Sequence, residues 1–268
     1  MCKIVFSDID GTVLTSNHQV LSSTIVAVKA LLKQSIPFVL VSARMPEAIK
    51  TITDDMGVTI PIISYGGALV LDKQKNILHN VKISFKDTEK IIGEIQERWK
   101  DEVVINYYTD NDWFVENDED KAVKREEQIT KVTASEMKFS DLLAKNILPN
   151  KLLCMAQPPV CENMEKILQN KFPQLKIMRS SPILLEIMDK SVSKAEGIKI
   201  MLEHFGLNKN EAIAFGDNYN DMDMLNFVGL GVAMNNAPKD VKQMANDVTD
   251  DNNHDGIYRF LRKIELVD

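Results

Sequence analysis

The feature that most constrains this chain is an alternation: a short apolar run, a stretch whose apolar residues recur at helical spacing, then another apolar run. KIVFSD (3–8) has the length and the Val/Ile/Phe content of a buried strand. Leu21 to Gln34 places Ile25, Val28, Leu31 and Leu32 on one helical face, and PFVLVSA (37–43) is the next strand. Strand, helix, strand predicts a parallel sheet. The pattern continues with a helix over 46–56, a strand at PIIS (61–64) and, after YGG, a hairpin over ALVLDKQKNILHN. A βαβαβ half-sheet is complete by residue 65.

Between about Ile83 and Ile187 the texture changes. A long polar helix over 87–100, the aromatic strands of VVINYYTDNDWFV, and breaks at Pro149, Pro158, Pro159, Pro173 and Pro182 predict an inserted α+β unit. The first texture then returns. Ser193 and Glu196 open a helix over 193–205 at capping-box spacing, and AIAFGD (212–217), GLGVAM (229–234) and DVT (247–249) supply further strands. The expected fold is a doubly wound α/β core over 1–82 and 188–268, with a cap domain over 83–187 inserted between its halves.

In open parallel sheets, ligands bind at the carboxyl ends of the strands, and the polar residues fall there. Asp8 and Asp10 end the first strand, Ser42 and Arg44 the second, and Asp217 ends AIAFGD with Asn220 and Asp221 just beyond. Carboxylates this close repel and raise each other's pKa, so four on one edge need a hard cation. Oxygen donors with no His or Cys nearby point to Mg²⁺. Such an ion keeps the carboxylates charged and leaves coordination positions for a phosphate oxygen. Lys194, at a helix start, and Arg44 add positive charge of the kind a phosphoryl group requires.

Arg44 fits either a phosphate site or a structural ion pair. Asn252 and Asp255, in TDDNNHDGI, fit either the rim of the site or a plain loop. Tyr107, Tyr108, Trp113 and Phe114 read as core of the insert, and the four histidines form no metal spacing.

DIDGT at 8–12, the serine of VSAR, Lys194 in SVSKAEGI and GDNYND at 216–221 resemble, in order and approximate spacing, the four motifs of the haloacid dehalogenase (HAD) superfamily. The tail VAMNNAPKDVKQMANDVTDDNNHDGI is similar to that of its Cof-like sugar-phosphatase branch. The resemblance implies a Rossmann-like core and a Mg²⁺-dependent phosphoric monoester hydrolase acting on small phosphorylated metabolites, such as sugar phosphates or phosphorylated cofactor precursors. Asp8 would be the nucleophile that becomes an aspartyl-phosphate and also binds the metal. Asp10 would act as acid and base while its backbone carbonyl reaches the ion.

Ser42 would hydrogen-bond the phosphoryl oxygens, Lys194 would balance charge, and Asp217 would ligate the metal, with Asp221 doing so directly or through water. Gly11 permits the turn after the nucleophile; it is grouped with Thr12, Arg44 and Asn220 among the residues expected to bind substrate. Pumps of the superfamily resemble DKTGT, so an acid at position 10 favours transfer to water or, as an alternative, between sugar hydroxyls in a phosphomutase. A non-catalytic phosphometabolite-binding regulator is the other alternative. The chain departs from the branch at Ala43 and Ala195, where glycine is common, and at Gly66, where asparagine is.

Composition narrows the partners. A net charge of −7 argues against a broad grip on nucleic acid, so an anionic substrate must be met by a local cation. Cys2, Cys154 and Cys161 lack C-x-x-C spacing and suggest a reducing compartment. No run approaches the ~20 apolar residues that cross a bilayer, so the expected setting is the cytoplasm, with no membrane partner. Nothing in the chain demands more than a monomer or weak homo-oligomer.

Overall fold

The computed structural model describes residues 2–268. The chain divides into two compact units, one holding the residues up to Arg44, Ile49–His79 and Ser193–Asp268, the other Met45–Ala48 and Asn80–Val192.

The first unit is built on an eight-stranded sheet. In chain order its elements are β1 (Ile4–Ser7), α1 (Ser22–Lys33), β2 (Phe38–Val41), α2 (Pro46–Met56), β3 (Ile62–Ser64), β4 (Leu69–Leu71) and β5 (Ile77–Asn80). The second unit follows with α3 (Phe85–Trp99), β6 (Val103–Thr109), β7 (Asp112–Val115), α4 (Lys121–Thr130), β8 (Ser135–Glu136), α5 (Phe139–Ala144), β9 (Lys151–Ala156), α6 (Pro158–Lys171), β10 (Leu175–Ser181) and β11 (Leu184–Asp189). The chain then returns to the first sheet through α7 (Lys194–Phe205), β12 (Ala212–Gly216), α8 (Met222–Phe227), β13 (Leu230–Ala233), α9 (Lys239–Met244), β14 (Asp247–Val248) and α10 (Gly256–Lys263).

The strand order β14-β13-β12-β1-β2-β3-β4-β5 carries the functional consequence. From β1 the chain winds one way through β2 and β3; after the insertion it returns on the other side through β12, β13 and β14, all parallel to β1. The order therefore reverses between β1 and β12, and such a switch point opens a crevice at the carboxyl ends of the strands. Alternate residues face opposite layers. Ile4, Phe6, Val39, Val41, Ala212 and Ala214 pack against Ile198, Met201 and Leu202 of α7, Met224 and Leu225 of α8 and Val241 of α9. On the other face Phe215 meets Phe260 of α10 edge-on at 5.6 Å. Each buried Val, Ile, Leu, Met or Phe side chain among these contributes roughly 1.5–3 kcal/mol.

The inserted unit is a six-stranded sheet in the order β10-β11-β9-β6-β7-β8, antiparallel except for the β7–β8 pair. Its core joins Ile91 and Ile95 of α3 and Met164 and Leu168 of α6 to Ile105, Tyr107, Leu152, Cys154 and Ile187. Adjacent tyrosines diverge because strand side chains alternate. Tyr107 stacks on Phe139 and donates to the Ile147 carbonyl at 2.5 Å, whereas Tyr108 stacks on Trp113, whose indole donates to Asn106 at 3.0 Å. The aromatic cluster is thus core, as expected. Among the described residues the three cysteines are free thiols, and no helix is long and apolar enough to cross a membrane.

Candidate active site

β1 pairs with β12 in a register that sets Ser7 beside Phe215. The Asp8 N–H extends that ladder by one bond, donating to the Phe215 carbonyl at 2.9 Å, so the first acidic side chain leaves the sheet at the switch point and is buried. The chain must then turn at once. Leu14 N–H returns to the Ile9 carbonyl at 2.8 Å, and Gly11 takes φ +83°. Any Cβ at Gly11 would lie 2.3 Å from Asp217 Oδ2, so the glycine serves both the left-handed backbone and the close approach of Asp217. Thr12 completes the contact by donating Oγ1–H to Asp217 Oδ1 at 3.0 Å.

Asp217 follows β12. After it comes a short helical turn, Tyr219–Asp221, capped by Asn218. Asp221 is fully buried and both of its oxygens are engaged: Oδ2 accepts from the Asp217 and Asn218 N–H groups at 2.9 and 3.0 Å, and Oδ1 accepts from Lys194 at 2.5 Å. Lys194 also donates to Asp8 Oδ1 at 2.5 Å. A cation at the first residue of a helix opposes the helix dipole, and a buried one is costly unless paired; the two carboxylates are what hold it there.

The start of α7 is anchored from three sides. Ser193 Oγ accepts from the Glu196 N–H at 3.0 Å, although the Glu196 carboxylate turns to Lys199 instead of closing the box. Asp223 accepts from the Ala195 N–H at 3.2 Å. Gly67, at φ +113°, lets the turn after β3 touch Ser193, whose carbonyl a Cβ there would approach to 2.0 Å.

The charges do not balance. Asp8, Asp217 and Asp221 each bring one carboxylate oxygen within 4.8 Å of the others, against the single ammonium of Lys194. Burial, then repulsion from Asp221 and Asp217, pushes Asp8 well above the usual carboxylate range, with Lys194 pulling the other way. Burial, then repulsion from Asp221, pushes Asp217 up to about 6 against the Thr12 hydrogen bond and Lys194. Burial alone would lower Lys194, but Asp221 and Asp8 outweigh it and raise it. With all three carboxyls ionised, one ammonium leaves two negative charges in a pocket of oxygen donors, a set that fits a hard divalent cation.

The expected convergence of four carboxylates is three plus one. The Asp10 side chain is half exposed and pairs with Arg44, Nε to Oδ2 at 2.8 Å and Nη2 to Oδ1 at 2.7 Å. Of the two readings left open for Arg44, the ion pair forms. Ser42 is buried and its Oγ accepts from the Arg44 N–H at 3.2 Å. Asn220 lies exposed on the helical turn. Asn252 is buried and donates to the Leu14 carbonyl at 2.8 Å, while Asp255 accepts from the Ser23 hydroxyl at 2.5 Å.

Asn236 escaped the reading of the sequence, yet its amide donates to Asp217 Oδ2 at 3.1 Å. It stands just beyond the strand GLGVAM, so extending the strand-end rule to that strand would have found it.

Comparison with known proteins identifies the family and the fold. Residues 5–261 match the family model described as haloacid dehalogenase-like hydrolase. A protein of Haemophilus influenzae named "Putative phosphatase" is 38% identical over 263 residues, spanning 98% of each chain. The crystal structure of a haloacid dehalogenase-like hydrolase from Bacteroides thetaiotaomicron superposes with a TM-score of 0.88 at 25% identity, covering 98% of this chain and 100% of that one. A crystal structure from Thermotoga maritima gives 0.89 at 28% identity, covering 99% and 98%. With a buried aspartate at the switch point, a buried lysine against it and a family match over nearly the whole length, the chain belongs to the haloacid dehalogenase-like hydrolases.

Proposed function

We propose that this hydrolase is a Mg²⁺-dependent phosphatase that cleaves small soluble phosphomonoesters, sugar phosphates or phosphorylated cofactor precursors, through an aspartyl-phosphate on Asp8. The observation that carries the reading is the Asp8–Lys194–Asp221 triad beside Asp217, with its two uncompensated negative charges. Asp8, Asp217 and the Asp10 carbonyl would hold Mg²⁺, which when bound neutralises the acidic pocket and the phosphoryl oxygens. Asp221, with both oxygens engaged, serves this reading as an anchor for Lys194 and Asp217, or as a partner of a water on the ion.

The steps follow from the chain's own groups. A carboxylate oxygen of Asp8 attacks phosphorus; the bond to the leaving oxygen breaks with its electron pair, and Asp10 gives that oxygen a proton. Asp10 then takes a proton from water, whose oxygen attacks the same phosphorus and frees phosphate, regenerating Asp8. Ser42, its Oγ already accepting from Arg44, keeps its O–H to donate to a phosphoryl oxygen. Thr12 and Gly11 shape the turn that presents Asp8, Asn220 orients the phosphoryl group, and Lys194 stabilises negative charge as it develops on the transferring group. Arg44 holds the ionised Asp10 carboxylate in one orientation by its two-point contact, and one of those contacts opens when Asp10 carries the proton.

The test is phosphate release from a panel of metabolites. Asp8→Asn should abolish it while the circular dichroism spectrum stays unchanged, and EDTA should stop the wild type until Mg²⁺ is returned. Undiminished turnover by the variant would refute the nucleophile. Isomerised sugar phosphate without free phosphate would instead reveal a mutase.

A further inference from the structure

Asn236 belongs to none of the motifs that mark the catalytic residues. It lies beyond β13 on a turn closed by the Ala237 N–H to the Met234 carbonyl at 3.0 Å. Met234 in turn donates to the Gly216 carbonyl at 2.9 Å, so the turn rides on the strand that ends in Asp217. The Asn236 amide is used at both ends. Nδ2 donates to the Gly11 carbonyl at 2.9 Å and to Asp217 Oδ2 at 3.1 Å, and Oδ1 accepts from the Asn252 N–H at 3.3 Å.

Those partners leave no ambiguity in the amide. A backbone N–H can only donate and a carbonyl can only accept, so the oxygen faces Asn252 and the nitrogen faces Gly11 and Asp217. Asn252 is itself buried and locked by its bond to the Leu14 carbonyl. The two asparagines therefore clasp both ends of the turn from Gly11 to Leu14 and fasten it to Asp217. Thr12 already holds the other oxygen of Asp217. Asp217 sits beside Asp8 and Asp221, and electrostatic repulsion would turn a loosely held carboxylate outward.

We infer that Asn236 is a positioning residue for Asp217: it fixes the carboxylate next to Asp8 before the cation arrives, with Asn252 setting its own orientation. The inference rests on the metal-binding reading of the site. Outer hydrogen-bond partners of metal ligands typically contribute 10–100-fold to metal affinity.

Calorimetric titration of Mg²⁺ into the metal-free full-length protein, with no substrate present, tests it. Asn236→Ala should weaken Mg²⁺ binding by about tenfold or more. Because the side chain is exposed, the unfolding midpoint in EDTA should move by no more than about 2 °C. Asn252→Ala should weaken Mg²⁺ binding in the same direction. Equal Mg²⁺ affinity in Asn236→Ala and wild type overturns the positioning role and leaves the metal site standing. Weakening that only tracks a large fall in the metal-free midpoint assigns Asn236 to the fold and overturns it too. A wild type that binds no Mg²⁺ overturns both this inference and the reading it rests on.

Discussion

Asp217→Asn should make the metal-free protein more stable at neutral pH while abolishing its response to Mg²⁺. The magnitude follows from the site. Burial and the neighbouring Asp221 raise Asp217 from the ordinary 3.8 to about 6 in the folded protein. At about 1.4 kcal/mol per tenfold in proton affinity, that difference is worth about 3 kcal/mol. The folded state holds this proton more tightly than the unfolded chain. The associated stability is therefore fully present below about pH 4 and is lost as pH rises through 6.

At pH 7.5 the ionised Asp217 is a net liability in the absence of metal, and an uncharged amide removes it. Asp8 acts in the same direction, since Asp217 is among the groups that raise it. Carboxylates such as Asp87 and Glu94, lowered by their hydrogen-bonding partners, give the opposite slope in both proteins and cancel in the difference.

The assay is thermal unfolding in EDTA from pH 4 to pH 7.5. The variant's midpoint should match that of the wild type near pH 4 and exceed it by roughly 6–12 °C at pH 7.5. Mg²⁺ at a hundred times its dissociation constant should then stabilise the wild type by about 2.7 kcal/mol and leave the variant unmoved. A gap that does not widen with pH, or equal stabilisation of both proteins by Mg²⁺, would refute the electrostatic account.

Three further outcomes are expected. Lys194→Met removes the cation between two buried carboxylates, so in EDTA at pH 7.5 it should lose about 3–5 kcal/mol of stability, measured by denaturant titration, and phosphate release should fall at least about a hundredfold. Gly11→Ala places a methyl group against Asp217 at a left-handed backbone position; it should lose more than about 1 kcal/mol and bind Mg²⁺ more weakly by calorimetry. Arg44→Gln should shift stability by no more than about 1 kcal/mol, because the Asp10 it pairs with is half exposed. Its kcat should nevertheless fall further on an alkyl phosphate than on p-nitrophenyl phosphate, since a poor leaving group depends more on a well-placed acid.

Local pattern was enough to read most of the architecture. Strand and helix periods, and the return of the first texture after residue 187, reflect where each side chain points from a regular backbone, which neighbouring residues alone dictate. The same logic brought Asp8 and Asp217 to one sheet edge, because polar residues that end parallel strands must share it.

Side-chain partners were another matter. That Asp10 turns to Arg44, that Asp221 spends both oxygens on Lys194 and two backbone N–H groups, and that Asn236 clasps Gly11 from 225 residues away are choices between competing donors. Such choices depend on loop conformations and on groups far off in the chain. Only the folded molecule brings those groups within the roughly 3 Å over which a hydrogen bond acts, so only tertiary structure could decide them.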